Sequence, residues 1–183
     1  MIAEGCGYKL DNIMLSGGVI QRRVSELAAE IEAEYRGREV IVTGVLKGAA
    51  IFMSDLVRRV GPSVDIRMDF IAVSSYGNSS ASSGAVKIVK DMDTYAEDKN
   101  VILVEDIVDT GLTLAYLRDM FTARGPGSFK TCVLLEKPAR KKVDTVIDYK
   151  GFTIEDVFVV GYGLDYAGRW RHLPDIWGVV PEK

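Results

Sequence analysis

The sequence predicts an α/β protein whose central sheet is mainly parallel. Residues 39–46 and 101–104 are apolar runs rich in β-branched side chains, and each is followed by a turn and a helical pattern. Such runs are typical of strands buried on both faces, as in a parallel sheet. Strands and helices alternate along the chain without internal repeats or linkers, which indicates helices packed on the sheet. With 183 residues, we expect one domain spanning residues 1–183.

Composition excludes several classes of protein. The net charge of −3 argues weakly against a general nucleic-acid binder. No stretch approaches the roughly 18 consecutive apolar residues of a membrane span, and the first ten residues lack the pattern of a secretory signal, so we expect a cytoplasmic protein. Cys6 and Cys132 lie far apart without metal-ligand spacing. His172 is the only histidine, which argues against a histidine zinc site or a Ser-His-Asp triad.

Two helices and one strand are predicted in the first third of the chain. Ser16 is suited to cap the first helix and Gly37 to end it. The apolar positions of that helix are Ile20, Val24, Leu27, Ile31 and Tyr35. Residues 39–46 form the strand, and the small-residue turn 47–50 leads into the second helix. The apolar face of the second helix would include Ile51, Phe52, Leu56 and Val60.

A long hairpin is predicted next. Its first strand alternates apolar and charged residues, with the apolar set Val64, Ile66, Met68, Phe70 and Ala72. Residues 86–92 alternate again, and the serine-rich segment 74–84 between the two strands forms the tip. This tip is either a plain flexible loop or a lid that closes over a reaction from which water must be excluded.

Two further strands are predicted in the last third of the chain. Residues 129–136 are apolar and end at Lys137 and Pro138, and the basic run 140–142 that follows is interpreted as solvated surface. Residues 157–162 form the second strand and lead to Asp165. The tail ends in a short apolar segment that could pair at a sheet edge.

Polar residues follow the strand at 101–104, where the ligands of open α/β sheets lie. Glu105 and Asp106 come first and are suited to accept hydrogen bonds from sugar hydroxyls. Asp109, Thr110 and the residues up to 113 precede a helix predicted at 114–123, whose N-terminus would favour a phosphate. One ligand carrying a phosphate and a diol would bind both to the helix N-terminus and to the acidic pair. The alternative interpretation is that Asp109 or Thr110 merely caps the helix.

The stretch 101–114, V-I-L-V-E-D-I-V-D-T-G-L-T-L, resembles the phosphoribosyl-diphosphate-binding motif of type I phosphoribosyltransferases. Other stretches match in the same order, namely L-K-G-A at 46–49, L-L-E-K-P at 134–138 and V-F-V-V-G-Y-G-L-D-Y at 157–166. The resemblance covers residues 10–181 and is to the hypoxanthine-guanine branch of the family. It implies a mainly parallel central sheet flanked by helices, a small hood at about 165–183 and a flexible lid hairpin at about 74–84.

The resemblance implies a role for each matching position. Phosphoribosyl diphosphate would be bound by Lys47, Gly48, Glu105, Asp106, Asp109, Thr110, Gly111, Leu112, Thr113 and Arg171. The purine would be bound by Lys137, Phe158, Val159 and Asp165, and the lid dipeptide would be Ser75 and Tyr76. In this family the peptide bond before the diphosphate-binding lysine, here Leu46–Lys47, can be cis. Gly168 and Trp170 receive no role.

The implied catalyst is Asp109, which would accept a proton from the purine. The implied cofactor is Mg²⁺, associated with Glu105, Asp106 and Asp165. Lys47 and Arg171 would neutralise the leaving diphosphate together with the metal.

The implied reaction moves the 5-phosphoribosyl group from 5-phosphoribosyl 1-diphosphate to N9 of hypoxanthine, guanine or both, giving IMP or GMP and pyrophosphate. The expected partners are these small molecules and further copies of the chain in a homodimer or homotetramer, with no nucleic acid and no membrane.

Three alternatives remain at this point. A signalling receiver domain also carries an acidic pair and a Lys-Pro, but its acidic pair lies near the N-terminus rather than in the centre. A non-catalytic RNA-binding or nucleotide-sensing regulator could use the same fold. A sister transferase could act on xanthine or a pyrimidine.

Overall fold

The computed structural model describes residues 7–75 and 86–182, and this part of the chain forms two β-sheets and three α-helices. In chain order the elements are β1 (Tyr8–Leu15), α1 (Gly17–Tyr35), β2 (Glu39–Leu46), α2 (Ala50–Val57), β3 (Asp65–Ser75), β4 (Val86–Lys90), β5 (Asn100–Val108), α3 (Leu112–Ala123), β6 (Ser128–Glu136), a 3₁₀ turn (Pro138–Arg140), β7 (Tyr149–Thr153), β8 (Val159–Val160) and β9 (Ile176–Pro181).

The larger sheet has six strands in the order β4-β3-β2-β5-β6-β7. All neighbouring pairs are parallel except β3 and β4, which form the antiparallel hairpin. The prediction of a mainly parallel sheet is therefore confirmed. The central strand β5 is buried on both faces from Val101 to Val104, as its apolar run predicts.

Helices cover both faces of this sheet. Alternate side chains of the central strands, such as Val42 and Val104, pack with α1 and α2 on one face. The side chains between them, such as Ile41 and Leu103, pack with α3 on the other. The first helix is confirmed from Ser16, whose hydroxyl accepts the N–H of Val19, to the end at Tyr35. The second helix ends at Val57, so the predicted face position Val60 lies beyond it.

The hairpin departs from its predicted burial pattern at the middle of β3. Met68 is 50% exposed, whereas Asp69 is only 5% exposed. The Asp69 carboxylate is buried because it accepts backbone N–H groups of Phe70, Asp93 and Thr94. A pattern that places apolar side chains inside and charged ones outside does not predict a buried carboxylate whose hydrogen bonds come from a neighbouring loop. Residues 76–85, including the predicted lid residue Tyr76, lie outside the described part of the chain.

The second sheet brings the two ends of the chain together in the order β1-β9-β8, with antiparallel pairing throughout. The apolar tail does form a strand, but the prediction that it pairs at a sheet edge is wrong, because β9 lies in the centre of this sheet and pairs with β1 on one side and β8 on the other. The prediction of a strand over residues 157–162 is wrong in length, because β8 contains only Val159 and Val160. The backbone turns into positive φ at Gly161, Tyr162 and Gly163, which ends the strand. Strands β1 and β7 were not predicted.

No helix within the described ranges is both long and apolar enough to cross a membrane.

Candidate functional site

The predicted site residues gather at the carboxyl edge of the large sheet. Strands β2, β5 and β6 are parallel neighbours and end at Leu46, Val108 and Glu136, so the loops that follow them lie side by side. The loop between β8 and β9 covers the same edge, since Gly163 lies against the backbone of Gly48. Three adjoining cavities open between these loops.

The smallest cavity, of about 80 Å³, lies at the N-terminus of α3. Its wall is formed by Glu105, Ile107, Val108, Asp109, Thr110, Gly111, Thr113 and Leu114. Gly111 is the N-cap at φ 81°, and no side chain caps the helix there. The interpretation of Asp109 as a helix cap is therefore wrong, and Thr110 makes only a 3.5 Å contact with the N–H of Leu112. An uncapped helix N-terminus in a small polar cavity is suited to a phosphate.

The segment after β6 packs against the turn that begins α3. The N–H of Lys142 donates to the carbonyl oxygen of Thr110 at 2.9 Å. A Cβ on Gly111 would lie 2.8 Å from the carbonyl oxygen of Val143, so both the positive φ and the close backbone approach require glycine.

The acidic pair at the end of β5 is only partly compensated by positive charge. Burial, together with the adjacent Asp106 charge, raises the pKa of Glu105 well above its usual range. Its Oε2 is buried and has no hydrogen-bond partner. Burial also raises the pKa of Asp106 to about 6, although the N–H of Ile107 and the charge of Arg171 oppose the rise. Such a pair is suited to bind hydroxyl donors or a cation.

A second cavity, of about 250 Å³, adjoins the acidic pair. Its wall is formed by Val45, Leu46, Gly48, Val73, Glu105, Asp106, Thr113, Asp165 and Arg171. The Leu46–Lys47 peptide bond at its rim is cis, and Lys47 is exposed. Arg171 forms an ion pair with Asp165 at 2.6 Å and donates to the carbonyl oxygen of Gly163, also at 2.6 Å.

The third cavity has a volume of about 350 Å³ and a more apolar wall. It is lined by Asp106, Ile107, Asp109, Lys137, Arg140, Phe158, Val159, Leu164 and Asp165. Lys137 is only 5% exposed. Burial lowers the pKa of its ammonium, and the charges of Asp109 and Asp156 oppose that shift. The Phe158 ring is 49% exposed and lines this cavity, a geometry suited to stacking on a flat ligand.

Arg140 is a site residue that the sequence analysis missed. It was assigned to the solvated surface, but it lines the third cavity and its Nε lies 2.8 Å from Asp109 Oδ1. It also approaches Asp156 at 3.5 Å. Its position three residues after Lys137, in the 3₁₀ turn that follows β6, is the signal that could have identified it.

The residues without a predicted role prove to support the site. The N–H of Gly168 donates to Asp165 Oδ2 at 2.6 Å and so orients that carboxylate. Trp170 is buried in the core of the small sheet and stacks on Tyr166. Tyr166 in turn packs edge-on against Phe158, and Tyr8 from β1 contacts both rings.

A metal ion at this site would need ligand atoms in addition to those that the protein supplies. In residues 7–75 and 86–182, no group of three or more His, Cys, Asp or Glu side chains is arranged to hold a metal ion. Glu105, Asp106 and Asp165 all line the second cavity, however, where ligand oxygens could complete a coordination shell.

A separate cavity of about 400 Å³ is formed by residues 91–97 and Arg124. It is larger than the three site cavities but contains none of the predicted site residues, and its Arg124 is already paired with Asp91 at 2.7 Å.

Comparison with known proteins shows close similarity in sequence and fold. The family model for the phosphoribosyl transferase domain matches residues 14–167. The chain is 47% identical over 174 residues to the hypoxanthine-guanine phosphoribosyltransferase of Bacillus subtilis, covering 95% of this chain and 96% of that protein. It is 43% identical over 170 residues to the hypoxanthine phosphoribosyltransferase of Salmonella typhimurium, covering 92% and 94%. A crystal structure of a hypoxanthine-guanine phosphoribosyltransferase from Bacillus anthracis superimposes with a TM-score of 0.87 at 44% identity, covering 94% and 99%.

The Asp106→Asn variant should be more stable than the parent at pH 8, and this gain should shrink at pH 5. The raised pKa of about 6 means that ionisation of Asp106 opposes folding. This opposition is absent below the unfolded pKa, near 3.9, and is complete once the pH has risen through 6. Thermal melts in a chelating buffer should show a Tm gain at pH 8 that exceeds the gain at pH 5 by about 3 °C or more.

The matched control is Asp119→Asn, which removes a carboxylate from the exposed face of α3. A Tm gain for Asp106→Asn that is equal at both pH values would show that the Asp106 carboxylate is not destabilised by burial.

Proposed function

Since the chain belongs to the hypoxanthine-guanine branch of the type I phosphoribosyltransferase family, we propose that it transfers the 5-phosphoribosyl group of 5-phosphoribosyl 1-diphosphate to N9 of hypoxanthine or guanine. The products are IMP or GMP and pyrophosphate. The observation that carries this proposal is the sharing of carboxylates between cavities. Asp109 lines both the phosphate cavity and the third cavity, and Asp106 lines both the second and the third. Phosphoribosyl diphosphate and a purine would together fill all three cavities, with the reacting ribose carbon beside these shared carboxylates.

In this arrangement the phosphoribosyl diphosphate spans two cavities. Its 5′-phosphate binds at the α3 N-terminus, where the N–H groups after Gly111 and the hydroxyls of Thr110 and Thr113 are donors. Glu105 and Asp106 accept the ribose hydroxyls. The diphosphate occupies the second cavity, where Arg171 and the exposed Lys47 neutralise it.

The purine occupies the third cavity between Phe158 and the ends of β5 and β6. Lys137 donates to O6 or N7, and Asp109 accepts the proton that the ring must lose for N9 to become nucleophilic. As the diphosphate leaves, the ribose becomes positively charged, and the carboxylates of Glu105 and Asp106 stabilise that charge. The guanidinium of Arg171 stabilises the departing anion at the same time.

The acidic pair also fits a magnesium ion. Glu105 Oε2 is buried without a partner, and burial raises the pKa of both carboxylates, so a cation would supply the missing positive charge. Mg²⁺ is usually held by one or two carboxylates plus substrate phosphate oxygens and water, which suits a site without a complete protein cage. Glu105, Asp106 and Asp165 would hold the ion. When bound, it neutralises the diphosphate as a Lewis acid.

The remaining features of the proposal concern the whole protein. Residues 1–183 form one domain, with a hood at about 165–183 and a lid at about 74–84 that includes Ser75 and Tyr76. The enzyme acts in the cytoplasm on small molecules, as a homodimer or homotetramer. A receiver domain is not compatible with the family to which the chain belongs. A transferase specific for xanthine or a pyrimidine, and a regulator without turnover, are the outcomes that the following experiment separates.

Pyrophosphate release should be measured with phosphoribosyl diphosphate, Mg²⁺ and a panel of hypoxanthine, guanine, xanthine, adenine, uracil and orotate. We expect release with hypoxanthine or guanine and essentially none with adenine or the pyrimidines. Release only with xanthine or a pyrimidine would overturn the substrate assignment. No release with any base, together with an RNA mobility shift, would favour the regulator.

Asp109→Asn should lower kcat by roughly 100-fold or more, because the amide cannot accept the purine proton. The Kd for phosphoribosyl diphosphate should change little, because the phosphate-binding N–H groups remain. Asp156→Asn is the matched control, since Asp156 also pairs with Arg140 but does not line the purine cavity. Near-normal kcat in Asp109→Asn, or equal losses in both variants, would remove Asp109 from the role of general base.

Lys137→Gln should lower kcat/KM for hypoxanthine and narrow its advantage over adenine. An ammonium has donors only, so it matches a 6-oxo group and faces the 6-amino group of adenine unfavourably. Leaving both donors unpaired in a buried site costs about 1–3 kcal/mol per group, whereas glutamine offers a donor and an acceptor. The control is Lys142→Gln, an exposed lysine of the same segment. Unchanged discrimination in Lys137→Gln would show that Lys137 does not contact the purine.

A further inference from the structure

The loop between β8 and β9 begins with an unusual backbone. Three successive residues have positive φ, at 98° for Gly161, 49° for Tyr162 and 102° for Gly163. Glycine adopts this region easily, but a tyrosine does not. A residue held there against its preference needs compensating contacts. The same loop carries Asp165 and Arg171, so whatever holds Tyr162 also sets the start of a site loop.

The compensating contacts include a hydrogen bond from the N–H of Tyr162 to the carbonyl oxygen of Leu173 at 2.8 Å, packing of the ring in the core, and the bonds of the Tyr162 hydroxyl. Tyr162 is only 3% exposed, and its hydroxyl donates to Asp55 Oδ2 at 2.7 Å. The same carboxylate oxygen accepts from Gln21 Nε2 at 2.7 Å, and Arg58 pairs with the other oxygen at 3.1 Å. Burial and the Asp55 carboxylate raise the pKa of Tyr162, so the hydroxyl stays a donor. Because Gln21 is on α1 and Asp55 on α2, this hydroxyl ties the loop to both helices of one sheet face.

The next residue transmits this anchor to the site. Gly163 lies so close to the loop after β2 that a Cβ on it would be 2.1 Å from the carbonyl oxygen of Gly48. Its own carbonyl oxygen accepts from Arg171 Nη1 at 2.6 Å, and its N–H donates to the carbonyl oxygen of Arg171 at 2.9 Å. The position of Gly163 therefore sets the distance between the two diphosphate-binding loops and the direction of the Arg171 guanidinium.

We propose that Tyr162 is a positioning residue for diphosphate binding: its hydroxyl, fixed by Asp55, holds Gly163 against Gly48 and so aims Arg171 into the second cavity. This inference rests on the proposed function, because it assigns that cavity to the diphosphate of phosphoribosyl diphosphate. Neither Tyr162 nor Asp55 lines any of the three site cavities, so both act through the backbone rather than by touching the substrate.

The test compares two tyrosines whose buried hydroxyls each donate to a carboxylate. Tyr162→Phe removes the anchor, and Tyr149→Phe removes the matching bond from Tyr149, which is 5% exposed, to Glu34. Tyr149 is on β7 at the opposite edge of the large sheet from the hairpin and lines none of the site cavities. Both variants should lower Tm. Only Tyr162→Phe should raise KM for phosphoribosyl diphosphate, by about ten-fold, with KM for hypoxanthine changed less than two-fold.

Substitutions of Asp55 give an independent measurement that spares the tyrosine. Asp55→Asn keeps an oxygen that can accept the Tyr162 hydroxyl, so KM for phosphoribosyl diphosphate should stay near that of the parent. Asp55→Ala removes the acceptor and should reproduce the ten-fold increase. An increase of equal size in Asp55→Asn and Asp55→Ala, or equal KM values in Tyr162→Phe and Tyr149→Phe, would overturn the proposal.

Calorimetry with phosphoribosyl diphosphate and Mg²⁺ alone separates this proposal from the proposed function. If the parent protein binds phosphoribosyl diphosphate but transfers its phosphoribosyl group to no base, the proposed reaction fails, and a ten-fold weaker Kd confined to Tyr162→Phe still supports the positioning role. If Tyr162→Phe and Tyr149→Phe bind phosphoribosyl diphosphate equally, the positioning role fails even when turnover of hypoxanthine is normal. A parent protein that does not bind phosphoribosyl diphosphate overturns both.

Discussion

The stacking of three loops at one sheet edge is the constraint on which the site depends. A Cβ on Gly48 would lie 1.5 Å from Asp106 Oδ2, and a Cβ on Gly163 would lie 2.1 Å from the carbonyl oxygen of Gly48. The loop after β8 therefore rests on the loop after β2, which rests on the carboxylate at the end of β5. Only glycine permits approaches this close. Because the contacts form one continuous stack, displacement of any loop would move the carboxylates and the Arg171 guanidinium relative to each other.

Three buried or half-buried ionisable groups at this sheet edge, Glu105, Asp106 and Lys137, lack full pairing and therefore reduce stability. Burial disfavours the ionised forms of Glu105 and Asp106, and it also lowers the pKa of the Lys137 ammonium. A protein optimised only for folding would not bury such groups without full pairing. In the proposed reaction, the ribose hydroxyls would donate to the two carboxylates and the 6-oxo group of the purine would accept from Lys137. The same burial makes these groups selective, because a ligand without the matching donor or acceptor leaves them unpaired.

The two sheets contribute different parts of the site. The parallel strands β2, β5 and β6 place backbone and carboxylates from a core that helices cover on both faces. The small sheet contributes the aromatic cluster around Phe158, in which rings from both ends of the chain meet. Phe158 thus presents a supported ring to the third cavity, although half of the residue is exposed.

Local sequence was sufficient for the elements that are governed by hydrophobic periodicity and for the motif at 101–114. The bounds of α1 and β2 and the burial of β5 follow from residue types within a few positions of each other, whereas the helix cap that local sequence offered at Asp109 is not made. The resemblance of short motifs nominated the polar side chains that line the three cavities, with the exception of Arg140. The roles of those residues remain predictions that the proposed variants test.

Only the tertiary structure decided what depends on contacts between distant segments. The local sequence predicts that Arg140 is solvated, because its partner, Asp109, is about thirty residues away in the chain. It also predicts that Asp69 is exposed, because the N–H groups that bind its carboxylate come from residues 93 and 94. Strand β1 exists as a strand because β9, at the other end of the chain, pairs with it. The Tyr162 anchor likewise joins helices at 21 and 55 to a loop more than a hundred residues later. A sequence pattern records the preference of each residue for water or the interior, but it does not record which distant donor will satisfy a buried oxygen, and that pairing decides the site.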